Sequence, residues 1–151
     1  GAGDATTFNS TEGVLYAEAT VENTGAFKTM IRLTATDTST SDGLWIYARS
    51  NNQLQGVLRV GSVDQVALTS PLTYSGFVKV AFKYKENEFA LWINGAEVVS
   101  DTSGAVFSAN TLSKLGLKLG TNTNPFFGKV KDLRTYNTAL TDAELLTLTT
   151  I

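Results

Sequence analysis

Residues 89–98 read FALWINGAEV, which is two hydrophobic segments joined by an Asn-Gly pair. Both central positions of a type I′ turn need positive φ angles, and Asn94 followed by Gly95 tolerates them best. Such a turn joins two antiparallel strands through a loop of two residues. The stretch therefore predicts a β-hairpin with its tip at Asn94 and Gly95.

The sequence before this hairpin alternates between apolar and polar residues with a period of two. The alternation runs through residues 14–21, 28–34, 44–49 and 76–85. A strand with one buried face requires this period, because successive side chains point to opposite faces of the sheet. Many short strands at close spacing indicate an all-β fold, a two-sheet antiparallel sandwich. The residues expected in its core are Leu15, Ile31, Leu33, Ile46, Val80, Phe82, Leu91, Leu117 and Val130.

One short helix is expected near the C-terminal end. Thr141 followed by Glu144 matches a capping box, and Leu140 and Leu145 take the positions of a hydrophobic staple. A helix of about two turns is marginal alone. We therefore expect Leu140, Leu145 and Leu148 to hold it against the sandwich.

Composition limits the domain count and the classes of function. The chain has 151 residues, 42% of them hydrophobic, so we expect a single domain over residues 1–151, taken from a longer chain. The chain has 12 Lys+Arg against 14 Asp+Glu, so there is no surplus of basic residues for binding nucleic acid. It has no apolar run of the kind found in membrane spans or signal peptides, so we expect neither. The absence of Cys and His excludes thiolate nucleophiles, Cys-based zinc sites and Ser-His-Asp triads.

Two segments resemble laminin G-like and concanavalin A-like domains. Residues 82–98 place FKY before the FALWINGAEV hairpin, and residues 127–145 read FGKVKDLRTYNTALTDAEL. The resemblance implies a concanavalin A-like jelly roll with a closing strand and a short C-terminal helix.

Residues 8–18, FNSTEGVLYAE, are also similar to domains of bacteriophage tail fibres and bacterial surface proteins. That similarity implies a virion or cell-surface location and a homotrimeric parent protein.

The faces opposite the predicted core collect aromatic and charged side chains. The set comprises Tyr16, Glu18, Arg32, Trp45, Tyr47 and Arg49, extended by Lys79, Lys83 and Trp92. Aromatic rings cover the apolar face of a sugar, while carboxylates and guanidinium groups bond its hydroxyls. The set indicates a non-catalytic carbohydrate- or receptor-binding module whose partner is a cell-surface glycan or polysaccharide.

A structural fibre module without glycan binding is the alternative. Cross-strand pairing, or burial under a loop or a neighbouring subunit, would equally explain these side chains. Exposure of Trp45, Tyr47 and Trp92 in a groove favours binding, whereas their burial favours the structural module. A second place for binding is the loop rim formed by residues 36–43 and 120–124.

Hydrolase activity and a calcium site are weighed separately. Glycoside hydrolases need paired carboxylates, but Tyr16 and Thr20 flank Glu18 at the spacing where related glucanases carry acids. A glucanase-like enzyme is therefore not expected. Asp37, Asp42 and Asp101 lie in or after loops, where they either cap turns or supply oxygen ligands to calcium. We expect no cofactor and leave calcium open.

Overall fold

The computed structural model describes residues 7–22, 24–119 and 124–151. In these ranges the regular structure consists of ten strands and one helix near the end of the chain. The strands are β1 (Glu12–Val21), β2 (Lys28–Thr34), β3 (Gly43–Ala48), β4 (Gln53–Val60), β5 (Val63–Thr73), β6 (Gly76–Lys85), β7 (Glu88–Ile93), β8 (Ala96–Asp101), β9 (Lys114–Gly116) and β10 (Val130–Tyr136). The helix is α1 (Asp142–Thr149). No helix among the described residues has the length and apolar character to cross a membrane.

The strands form two antiparallel five-stranded sheets that enclose one core. The first sheet has the order β10-β1-β6-β7-β8, and the second has the order β5-β4-β3-β2-β9. The predicted core residues that are at most 1% exposed are Leu15, Ile31, Leu33, Ile46, Val80, Phe82 and Leu91. The two-sheet sandwich predicted from the alternation is therefore confirmed.

Two residues predicted for the core lie at the surface instead. Leu117 is 38% exposed and Val130 is 39% exposed. Leu117 follows the end of the three-residue strand β9, and Val130 begins β10 at an edge of the first sheet. The prediction for these two residues is wrong because strand ends and sheet edges lack a covering neighbour, which alternation alone does not reveal.

The Asn94-Gly95 turn forms as predicted and also anchors its surroundings. Asn94 has a φ of 50° and Gly95 a φ of 83°. Asn94 Oδ1 accepts a 2.9 Å hydrogen bond from the backbone N–H of Lys79, and the Gly95 N–H donates to Thr149 Oγ1 at 3.1 Å. The turn therefore connects the β7–β8 hairpin to β6 and to α1.

Helix α1 covers the outer face of the first sheet. Its capping box is present, with Glu144 Oε2 accepting a 2.8 Å hydrogen bond from the Thr141 N–H. Leu145 is fully buried, and Leu140 and Leu148 are partly buried against the same apolar cluster. The predicted helix and its contact with the sandwich are confirmed.

Candidate functional site

The structure places the predicted site residues on two opposite faces of the sandwich. Tyr16 and Glu18 belong to β1 in the first sheet. On or next to β2 and β3 in the second sheet lie Arg32, Trp45, Tyr47 and Arg49. The predicted set, which was to form one candidate site, is therefore divided between two surfaces. Alternation assigns a side chain to a face of its strand but does not assign the strand to a sheet.

On the first sheet, the aromatic residues of the outer face are buried beneath α1. Tyr16 is 1% exposed and Trp92 is 7% exposed, and both belong to the cluster that contains Leu145. Their rings therefore fix the helix on the sheet. Tyr16 and Trp92 thus serve packing, as the structural alternative expects, and they offer no accessible ring to a sugar.

Glu18, on the same face, is held in a network of hydrogen bonds and ion pairs. The Tyr16 hydroxyl donates a 2.6 Å hydrogen bond to Glu18 Oε1, and Lys131 Nζ lies 3.0 Å from Oε2. The hydrogen bond from Tyr16 is the main cause that lowers the pKa of Glu18. Asp132 faces Glu18 across the β1–β10 pair, but the Arg134 Nε donates to it at 2.6 Å. A glycosidase general acid needs a raised pKa, whereas the pKa of Glu18 is lowered, so Glu18 is unsuited to that role.

The outer face of the second sheet carries what we call the aromatic patch, formed by Phe27, Tyr47, Arg49, Gln55 and Thr69. The Phe27 and Tyr47 rings lie 5.6 Å apart at 81°, and the Arg49 guanidinium lies 5.9 Å from the Phe27 centroid. Gln55 Nε2 donates a 2.7 Å hydrogen bond to Thr69 Oγ1. Phe27 is 38% exposed and Tyr47 is half-buried. The patch thus joins accessible ring surface to polar groups.

Trp45 lies beside the aromatic patch and is only 2% exposed. The Arg59 guanidinium stands over its ring at 5.4 Å from the centroid, and Arg59 Nε lies 2.5 Å from Asp64 Oδ1. Because Arg59 covers the indole, Trp45 is not the groove-exposed tryptophan that a sugar-stacking role requires. Tyr47 and Phe27 are the accessible rings of this face.

Three buried polar atoms of this face lack a hydrogen-bond partner in the part of the chain that the structure describes. They are Thr29 Oγ1, Arg32 Nε and Trp45 Nε1. Thr29 faces Tyr47 and Arg32 faces Trp45 across the β2–β3 pair, so the three atoms lie on two adjacent strands. Most buried polar atoms in proteins are satisfied, and these three exceptions are covered by protein atoms rather than open to solvent.

A cleft of about 650 Å³ opens beside Arg32 where β9 ends the second sheet. We call it the edge cleft. Its lining includes Arg32, Asp37, Gly116, Leu117, Lys118 and Phe126. The terminal nitrogens of Arg32 donate to the backbone carbonyls of Asp37 and Ser39. The loop after β2 thus holds the guanidinium at the wall of the cleft.

Two of the three aspartates considered for calcium, Asp42 and Asp101, bond backbone N–H groups in turns. Asp42 Oδ1 accepts a 2.8 Å hydrogen bond from the Gly61 N–H, and Asp101 Oδ1 accepts one of 2.9 Å from the Ser103 N–H. Within the described ranges, no three His, Cys, Asp or Glu residues are grouped so as to hold a metal ion. Of the loop rim, residues 120–123 lie outside the described residues, while Asp37 and Thr38 border the edge cleft.

Sequence reasoning did not select four of the residues that build this face, namely Phe27, Gln55, Thr69 and Gly116. Gln55 and Thr69 are partners across β4 and β5, and Gly116 is the partner of Arg32 across β2 and β9. In β4, Gln55 alternates with the apolar Leu54, and this alternation could have placed Gln55 on the outer face. The other three become recognisable only when the strand order is known.

Residues 15–146 match the family described as the Concanavalin A-like lectin/glucanases superfamily. The chain belongs to this family, as the resemblance of residues 82–98 and 127–145 indicated. The matched region includes both sheets and most of α1. A comparison with curated proteins gives no match.

Solved structures of the same shape come from proteins of different kinds. The carbohydrate-binding module CBM40 of the Ruminococcus gnavus IT-sialidase, bound to α2,3-sialyllactose, has a TM-score of 0.80 at 20% identity, covering 97% of this chain and 86% of that chain. The K499G mutant of NanB sialidase from Streptococcus pneumoniae has a TM-score of 0.78 at 14% identity, covering 95% of this chain but 24% of that chain. A heptameric SAP-like pentraxin from Limulus polyphemus has a TM-score of 0.69 at 14% identity, covering 97% of this chain and 71% of that chain. Likeness at these identities establishes the fold.

Proposed function

We propose that the chain is a non-catalytic glycan-binding module whose site is the outer face of the second sheet. The observation that carries the proposal is the aromatic patch, where the accessible rings of Phe27 and Tyr47 lie 5.6 Å apart beside the Arg49 guanidinium. Sugars have apolar C–H faces and many hydroxyls. The rings of Phe27 and Tyr47 suit the former, and the polar groups of Arg49, Gln55 and Thr69 suit the latter.

We propose further that the glycan is acidic. Arg32 and Arg49 both belong to this face, and neither is in a salt bridge among the described residues, whereas Arg59 is paired with Asp64. A guanidinium group forms its strongest hydrogen bonds with an anion. The structurally similar R. gnavus module is bound to α2,3-sialyllactose in one structure and to α2,6-sialyllactose in another. Sialylated oligosaccharides are therefore the first ligands to test.

The module is proposed to belong to a longer fibre or cell-surface protein. The support is the similarity of residues 8–18 to domains of phage tail fibres. A homotrimeric parent would present three copies of a weak site at once, which raises avidity without new contacts. Light scattering on the full-length parent tests this, and a monomer would contradict it.

A structural module without glycan binding is the second candidate, and the burial of Trp45 and Trp92 favours it. A glycan array of sialylated and neutral oligosaccharides on the purified domain separates the two candidates. Calorimetric titration with α2,3-sialyllactose follows, on the wild type and on Tyr47→Ala. Arg134→Ala, an exposed residue of the first sheet, is the matched control. Binding that Tyr47→Ala weakens and Arg134→Ala does not supports the glycan module; a silent array and titration support the structural one.

A further inference from the structure

The chain contains one Asn-Gly pair, Asn94-Gly95, and it forms the tip of the β7–β8 hairpin. Asparagine is a thermolabile residue, and a following glycine has no side chain to keep its backbone nitrogen away from the asparagine side chain. In deamidation, the Gly95 nitrogen attacks Asn94 Cγ, ammonia leaves and a succinimide ring forms. Water then opens the ring to aspartate or isoaspartate.

In the folded protein, the two groups that must react are bonded to different elements. Asn94 Oδ1 accepts a 2.9 Å hydrogen bond from the Lys79 N–H of β6, and the Gly95 N–H donates to Thr149 Oγ1 of α1 at 3.1 Å. A donor to Oδ1 also polarises the Asn94 carbonyl, so the bond from Lys79 alone would not slow the attack. The bond to Thr149 withholds the nucleophile, because the Gly95 nitrogen attacks only after it has lost its proton.

The Thr149 hydroxyl is fixed in place and shielded from water. Thr149 is fully buried, and its hydroxyl donates to the Leu145 carbonyl at 2.7 Å. Its one donor is therefore used inside α1, and Oγ1 is left to accept from Gly95. A Cβ atom at position 95 would lie 3.2 Å from Thr150 Oγ1, so the end of α1 packs directly on the glycine. Hydroxide reaches the Gly95 N–H only when this end of the helix moves away.

Lys79 ties the end of α1 to the hairpin tip. Its Nζ donates a 2.9 Å hydrogen bond to the Thr150 carbonyl, and its own carbonyl accepts one of 3.0 Å from the Asn94 N–H. The last turn of α1 has no basic residue of its own, and a cation at this end complements the helix dipole. One residue of β6 thus stabilises both partners of the contact.

We propose that Asn94-Gly95 is a deamidation site that α1 protects, and that opening of the last turn of α1 sets the rate of modification. Isoaspartate adds a carbon atom to the backbone of the turn, which no longer fits a two-residue loop. Either product places a negative charge beside the C-terminal end of α1, where the helix dipole disfavours it. The modified chain therefore holds α1 less tightly on the first sheet.

The test compares the deamidation of Asn94 in the purified domain, folded and in concentrated urea, by peptide mass spectrometry at the same pH and temperature. The folded wild type should react at least about tenfold more slowly. Thr149→Val removes the acceptor of the Gly95 N–H and should raise the folded rate about fivefold, the equivalent of one hydrogen bond. Thr149→Ser keeps the acceptor and should stay within about twofold of the wild type.

Thr147→Val is the matched control. The Thr147 hydroxyl makes the same kind of bond inside α1, to the Ala143 carbonyl at 2.8 Å, but the residue is exposed and bonds nothing on the hairpin. The variant should deamidate at the rate of the wild type. Equal effects of Thr149→Val and Thr147→Val would overturn the role of the bond to Gly95.

Hydrogen exchange at the Gly95 amide keeps the proposal testable if Thr149→Val lowers the stability of the whole domain. Exchange and deamidation both require base to reach this N–H, so low concentrations of urea should raise both rates of the wild type together. Deamidation that rises while Gly95 exchange stays constant overturns the proposal, as do equal rates in folded and unfolded wild type. None of these outcomes bears on glycan binding, which is proposed for the second sheet.

Discussion

The Phe27 and Tyr47 rings meet edge to face, with their centroids 5.6 Å apart and their planes at 81°. This arrangement is worth about 0.5–1.5 kcal/mol beyond the area that it buries. Arg49 lies 5.9 Å from the Phe27 centroid on the same surface. The three side chains therefore support one another before any ligand arrives, and a sugar that stacks there does not have to order them.

Tyr47→Ala should weaken glycan binding about tenfold, because it removes the stacking ring and the support of Phe27. Tyr47→Phe keeps both and should stay within about threefold of the wild type. Tyr47 is half-buried, so both variants should remain folded. Titration with α2,3-sialyllactose measures the effect. Equal affinities for the wild type and Tyr47→Ala would exclude the aromatic patch from the site.

Leu145→Ala should lower the free energy of unfolding by about 2–5 kcal/mol, because it leaves a cavity under the helix. Leu145 is fully buried in the cluster with Tyr16 and Trp92. The neighbouring Leu146, 47% exposed, is the matched control, and Leu146→Ala should change stability by no more than about 0.5 kcal/mol. Urea denaturation followed by tryptophan fluorescence gives both values. Equal losses at the two positions would mean that α1 does not lie on the first sheet as described.

Glu18 should make a pH-dependent contribution to the free energy of unfolding, and Glu18→Gln should remove it. The Tyr16 hydrogen bond, and then Lys131 and Lys79, lower the pKa of Glu18 in the folded protein despite its burial. A lowered folded pKa stabilises the protein above the ordinary glutamate pKa of about 4.3, and this contribution disappears as the pH falls through the folded value.

The difference in unfolding free energy between wild type and Glu18→Gln should therefore be largest near about pH 6 and shrink toward about pH 3. Glu86→Gln, at an exposed position in the turn between β6 and β7, is the control. Urea denaturation at several pH values measures the difference. A difference that grows on acidification would show that Glu18 is destabilised as a carboxylate.

The purified domain should release no reducing ends from glucans and no sialic acid from sialyllactose. Glu18 and Asp132 are the facing acids of the first sheet, and Lys131 and Arg134 bond them as carboxylates. Glu18, whose pKa is lowered, is then not available to protonate a leaving group. Hydrolysis by the wild type that is lost on Glu18→Gln would contradict the non-catalytic assignment.

Local signals predicted the hairpin and the helix because a few adjacent residues determine each of them. Asn94 with Gly95 selects the turn, and Thr141 with Glu144 selects the helix start. The alternation likewise identified the buried face of most strands. These signals need no knowledge of how distant strands pair.

The site could be predicted only in part, because it depends on strand order. Tyr16 and Trp45 show the same alternation but belong to different sheets. Trp45 is buried because Arg59, on the adjacent strand β4, covers it. The Arg32 side chain packs on Gly116, which is its partner only through the β2–β9 register. Strand order and register arise from the whole sheet, so no single stretch of sequence contains them.

An NMR titration of the labelled domain with α2,3-sialyllactose tests the glycan-binding face most directly, since it reports the site residue by residue. The largest shifts should occur at the backbone amides of Arg32, Tyr47, Gln55 and Gly116 in the second sheet. The amides of Glu18 and Trp92 in the first sheet should stay unchanged. Shifts confined to the first sheet, or no shifts at saturating ligand, would contradict the account.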